Sequence, residues 1–69
     1  MKKFKFTKKR GRKIVEIVQR DRDDWFYDVN RIEKSTGKIV ETSMIIKGEV
    51  PRWTADYKKA GFSVSEEDI

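Results

Sequence analysis

The sequence predicts an α+β fold: an antiparallel meander of three or four strands with one C-terminal helix packed on one face. Three observations lead there. Two arms rich in aromatic and β-branched residues, 25–33 and 38–46, flank the polar turn Lys34-Ser35-Thr36-Gly37, a hairpin signal. The stretch Ile14-Val15-Glu16-Ile17-Val18 is almost wholly β-branched. The stretch from Pro51 to Ala60 is punctuated as a helix at both ends. A small SH3-like barrel, closed by a strand near Phe62 and Val64, is the alternative architecture.

Taken in order, Phe4-Lys5-Phe6 alternates apolar and charged residues and reads as a short half-buried strand. Thr7 to Lys13 is a basic turn in which Gly11 is able to take a positive φ. Apolar residues on both sides of 14–18 mean a strand that is central or covered on both faces. Arg20-Asp21-Arg22-Asp23-Asp24 is a polar link to the hairpin. In the first arm Trp25, Tyr27 and Val29 share one face, and Phe26, Asp28, Asn30 and Ile32 the other. The turn fits a three-residue loop with Gly37 as a left-handed bulge residue, or a four-residue loop closing Glu33 on Lys38. The second option sets Tyr27 beside Met44 and Trp25 beside Ile46, and a slip of one residue separates the two.

The stretch Lys47-Gly48-Glu49-Val50 breaks the strand, and Pro51 opens the helix, where its missing N–H costs nothing. Trp53, Tyr57 and Ala60 recur on one stripe, which is expected to meet Trp25, Tyr27 and Val29 on the sheet. Lys58 and Lys59 complement the C-terminal dipole. Gly61 stands where a left-handed cap belongs, with Phe62 folding back on Tyr57. The expected domain is 1–62. Residues 63–69 read as a flexible acidic tail, with Phe62 and Val64 as the material for a short edge strand.

The chain has 69 residues, enough for one small domain, and contains neither Cys nor His. Disulfide frameworks and thiolate or imidazole metal sites are thereby excluded. The acids Asp21, Asp23, Asp24 and Asp28 do not make a calcium loop. Counting from Asp21, Phe26 stands where the turn needs Gly, and Ile32 where a bidentate Glu belongs. Ser35-Thr36-Gly37-Lys38 lacks the spaced glycines of a phosphate loop and joins two strands. Without His or Cys, and with no constellation around a carboxylate or Lys, the expectation is a non-enzymatic protein without cofactor or metal. No apolar run approaches the ~20 residues of a membrane span, so a cytoplasmic location is expected.

Charge carries the functional expectation. Residues 1–13 hold eight Lys/Arg and no acid, while 14–69 hold the other nine of the seventeen bases against all twelve acids, a net of −3. Clustered Lys and Arg neutralise phosphates and release counterions. The expected function is therefore nucleic-acid binding, DNA or RNA, with low sequence specificity. Lys8, Lys9, Arg10, Arg12 and Lys13 would contact phosphates, with Lys5, Arg20 and Arg22 as extensions and Phe26 as an exposed ring for stacking. The structural alternative for the basic run is a solvated turn whose lysines guard an edge strand.

Arg10-Gly11-Arg12, flanked by Lys8, Lys9 and Lys13, resembles the core of an AT-hook, with Lys13 where that family has Pro. The resemblance implies a minor-groove reader. The predicted topology looks like the three-stranded-sheet-plus-helix DNA-binding domains of integrases, which implies a sheet laid in the major groove. A rival class is a small protein–protein interaction or inhibitor module docking on an acidic protein surface. The short, Lys/Ile-rich chain is similar in make-up to accessory proteins of bacteriophages and mobile elements.

Overall fold

Residues 1–20 and 25–68 are described by a computed structural model. The strands are β1 (Lys2–Thr7), β2 (Lys13–Gln19), β3 (Phe26–Glu33), β4 (Ile39–Ile46) and β5 (Ser63–Asp68), with helix α1 (Val50–Lys59) between β4 and β5. They form one open antiparallel sheet in the order β4-β3-β2-β1-β5. The strand count is thus five, and the residues expected as a loose tail supply β5. The sheet is not closed into a barrel: β4 and β5 lie at opposite edges, and α1 returns the chain from one edge to the other.

The β-branched run 14–18 is central, as its two-sided apolar pattern requires. Val15 and Ile17 are buried on the helix-covered face, while Ile14 and Val18 are half-buried on the other. Phe6, Val15, Ile17, Tyr27, Val29, Ile45 and Val50 make the core, with Phe4, Trp53, Tyr57, Phe62 and Val64 packed around it. Phe6, Ile17 and Val29 are fully buried, each stabilising the fold by about 1.5–3 kcal/mol relative to exposure. Tyr57 joins helix to sheet. Its ring stacks on Phe6 at 5.0 Å and meets Phe62 edge-on at 5.1 Å.

The helix ends as its sequence predicts. Gly61 has φ 92°, its N–H donates to the Lys58 carbonyl, and the Phe62 N–H donates to the Tyr57 carbonyl at 3.0 Å. This pair of bonds, with the Phe62–Tyr57 contact, is a Schellman cap. Ala60, expected on the apolar stripe, is exposed.

Two expectations need correction. Gly11 does not take a positive φ; only Gly37 and Gly61 do among the described residues. A Cβ on Gly11 would instead lie 3.1 Å from the Lys8 Cβ, so glycine supplies room for the tight turn. Trp25 does not enter the core. β3 starts one residue later, and Trp25 stands 76% exposed at the sheet end, its carbonyl accepting the Lys47 N–H at 2.8 Å.

The hairpin register combines the two alternatives: the turn closes as the four-residue loop, and the ladder beyond it runs in the register of the three-residue loop. The turn closes Glu33 on Lys38 through a 2.9 Å bond, with Gly37 left-handed at φ 71°. A shift between Arg31 and Ile32 then leaves Val40 unpaired and moves the rest of the ladder by one. Tyr27 therefore faces Ile45, and Asp28 faces Met44. The slip sends Ile45 into the core and leaves Met44 on the uncovered face.

Candidate nucleic-acid interface

In a meander, alternate connections fall at the same end of the sheet. The β1–β2 turn (residues 8–12) and the β3–β4 turn (residues 34–38) therefore share one end. Helix α1 runs back to it, because Ser63, just after the helix, pairs with Thr7 at the close of β1. Three segments remote in sequence thus gather Lys8, Lys9, Arg10, Arg12, Lys13, Lys34, Lys38, Lys58 and Lys59 at one end. The acids nearest in sequence are Glu33, whose carboxylate accepts the Ser35 hydroxyl at 2.9 Å, and Asp56, two residues before Lys58 on α1.

The two turns are tied together. The Lys34 N–H donates to the Arg12 carbonyl at 2.9 Å, and the Lys34 ammonium reaches the Lys8 carbonyl at 3.4 Å. Gly11, Arg12, Lys13, Glu33, Lys34 and Ser35 line an open groove between them. Lys8 leans the other way, its ammonium 5.6 Å from the centre of the Phe62 ring, against the helix cap. Among the described residues no ion pair engages any of the nine cations. They are held by backbone geometry while their charges stay available to an anion.

This arrangement bears on the structural alternative. Lysines that guard an edge must sit on an edge strand, but β1 and β2 are both interior, with β5 covering the outer side of β1. The basic turn has no edge to protect.

The remaining predicted positions divide. Lys5 lies mid-strand on the uncovered face of β1, between Glu16 and Ser65. Arg20 stands seven positions beyond Lys13, at the far end of β2, roughly 23 Å away at ~3.3 Å per residue. Its guanidinium pairs with Asp28 at 3.3 Å. Arg22 lies outside the described residues, as do Asp21, Asp23 and Asp24. Phe26 is 36% exposed on the uncovered face, but at the end of the sheet opposite the cations. One nucleotide cannot both stack on Phe26 and place its phosphate in the groove.

Sequence inspection missed Lys34, Lys38, Lys58 and Lys59. The signal was available in the connectivity, since two turns separated by two strands must fall together.

The uncovered face is not a uniform basic platform. Lys3 pairs with Glu16, and this hydrogen bond raises the Lys3 ammonium above its ordinary pKa, against the opposing effect of burial and with smaller help from the charges of Glu16 and Glu67. Towards β4 the face turns apolar, with Ile14, Val18, Phe26, Ile32, Ile39, Met44 and Ile46. Cations and apolar surface occupy different parts of the molecule. No helix among the described residues is long and apolar enough to cross a membrane, and no group of three or more His, Cys, Asp or Glu among them is placed to hold a metal ion. No protein-family model, curated protein or solved structure matches this chain.

Proposed function

We propose that the protein is a small non-catalytic module that binds nucleic acid through its cationic end. The observation that carries this reading is the convergence of cations from two turns and the helix C-terminus around one open groove, with no carboxylate among the described residues pairing them. Arg12, Lys13 and Lys34 line that groove and take the principal phosphate contacts, with Lys8, Lys9 and Arg10 on the flanking turn. Low sequence specificity follows from the side chains present. Asn30 and Gln19, whose amides suit base-edge readout, lie on other parts of the sheet, and seven of the nine cations are lysines, which contact phosphate as point charges, leaving Arg10 and Arg12 as the side chains able to read a guanine edge. The sheet-in-groove mode implied by the integrase resemblance is disfavoured, because that face carries Glu16, Asp28 and an apolar row.

The test is fluorescence anisotropy of a labelled random duplex and a labelled single strand. The variants are Arg12→Ala/Lys13→Ala/Lys34→Ala and, as a control at the other end, Arg20→Ala. The triple variant should bind about 100-fold more weakly, taking roughly 1 kcal/mol per lost contact. The Arg20 variant should bind like the wild type. Equal loss in both variants, or no binding by the wild type at low salt, would overturn the reading.

The apolar row along β4 favours a second reading, a protein-docking module steered by the same cations. Under that reading affinity falls on truncating Met44 or Ile46, and salt acts mainly on the association rate.

A further inference from the structure

The two edges of the sheet are built differently. β5 ends in Glu66, Glu67 and Asp68, charged side chains that another strand would have to desolvate, which is a recognised protection against strand addition. β4 is as long as any strand here, at eight residues, and carries one charged side chain, Glu41, paired with Arg31 at 2.7 Å, against the three acids of β5. Its free edge offers unpaired backbone groups along that length. Beside it Ile39, Val40, Met44 and Ile46 each stand about half exposed, with Phe26 next to them. Beyond the bulge at Val40, the stretch from Glu41 to Ile46 is an edge with one acid and an apolar flank, a template for another strand.

We propose that β4 pairs antiparallel with β4 of a second copy of this chain, forming a ten-stranded sheet about a two-fold axis. The proposal stands on the edge itself and does not depend on the nucleic-acid reading. The occupant is a second copy because the strand is complementary to itself. With Thr42 opposite its counterpart on the axis, side chains stay on matching faces, Glu41 lies opposite the second copy's Ser43, and Val40 lies beside its Met44. The register centred on Glu41 would oppose two carboxylates and is excluded by their repulsion. The antiparallel two-fold also carries the cationic ends to opposite ends of the joined sheet, so the +5 net charge of each chain opposes pairing only weakly. One strand edge is a modest contact, so association is expected at micromolar concentrations or above.

Sedimentation equilibrium should show the mass rising from monomer towards twice that value as concentration increases to about 1 mM. Val40→Lys/Met44→Lys places charges on positions that are already exposed, so circular dichroism should be unchanged while the protein stays monomeric. The chain has no native Cys, so single-cysteine variants report the register directly. Under mild oxidation Thr42→Cys should form a disulfide dimer at least tenfold faster than Ser65→Cys on β5, because opposed residues of an antiparallel pair lie ~4.5–5.5 Å apart at Cα, within disulfide reach. A monomer at every concentration would overturn the proposal, leaving the edge to a strand from another protein. So would a dimer that survives the double-lysine variant, or equal cross-linking of the two cysteine variants.

Discussion

The two ends of the sheet are made of similar parts and use their cations in opposite ways. At one end two turns and a helix C-terminus bring together nine cations with no ion pair among the described residues. At the other, Arg20 meets Asp28 at 3.3 Å, Lys2 meets Glu66 at 3.6 Å, and the N-terminal ammonium meets Asp68 at 3.3 Å. Cations at the second end are spent on holding strands together, while those at the first are left over. The lesson is that net charge is a poor guide here and connectivity a good one. Arg20 looks like an extension of the basic run in sequence, yet it sits at the wrong end of a strand. Lys34 looks like turn filler, yet it stands in the groove.

The most damaging change to this polarity is Phe6→Ala. Phe6 is fully buried under Tyr57 and anchors the strand that leads into the basic turn. The loss should be about 3–5 kcal/mol, much of the stability expected of a domain this size, and urea denaturation followed by tryptophan fluorescence measures it. A milder change, Gly61→Ala, acts at the cationic end alone. A side chain there must adopt φ 92° and meets the Lys8 Cε at 3.6 Å. The expected cost is about 1–2 kcal/mol, with the helix C-terminus loosening first in hydrogen exchange.

The smallest effect belongs to the uncovered face. Lys3→Met should cost about 0.5–1 kcal/mol, the range for a partly exposed pair, without changing affinity for nucleic acid. The pH dependence has a definite sign. The Lys3 pKa is raised in the folded state, so the pair's contribution is complete below the ordinary value of 10.5 and is lost as pH rises through the folded-state value. Wild type and Lys3→Met should therefore converge in stability in strongly alkaline solution.

Much of the fold was legible because local chemistry specified it. Gly37 and Gly61 have the left-handed conformations that their turns require, and Pro51 stands in the first turn of the helix, which begins one residue earlier than expected, at Val50. The β-branched run at 14–18 is the central strand. What escaped was set by pairing at a distance. Ser63 to Asp68 has one apolar residue, Val64, and no strand propensity of its own; β1 recruits it through backbone pairing and the ion pairs of Lys2 and the N-terminus. The unpaired Val40 shifts the hairpin register, and no local preference marks it. Trp25 has the composition of a core residue but lies beyond the first ladder pair of β3, Phe26 with Ile46. The candidate site was half legible for the same reason: 8–13 is contiguous, whereas Lys34, Lys38, Lys58 and Lys59 join it only through topology.

The salt dependence of duplex binding tests the central claim most directly. If the cationic end makes ~6–10 phosphate contacts, log affinity against log salt has a slope of about −5 to −9, and affinity falls about 10³–10⁵-fold between 50 and 200 mM. The triple variant at Arg12, Lys13 and Lys34 should flatten that slope by roughly 3, one for each lost contact, while Arg20→Ala leaves it unchanged. A slope near zero in the wild type, or one that the triple variant does not change, would contradict the account.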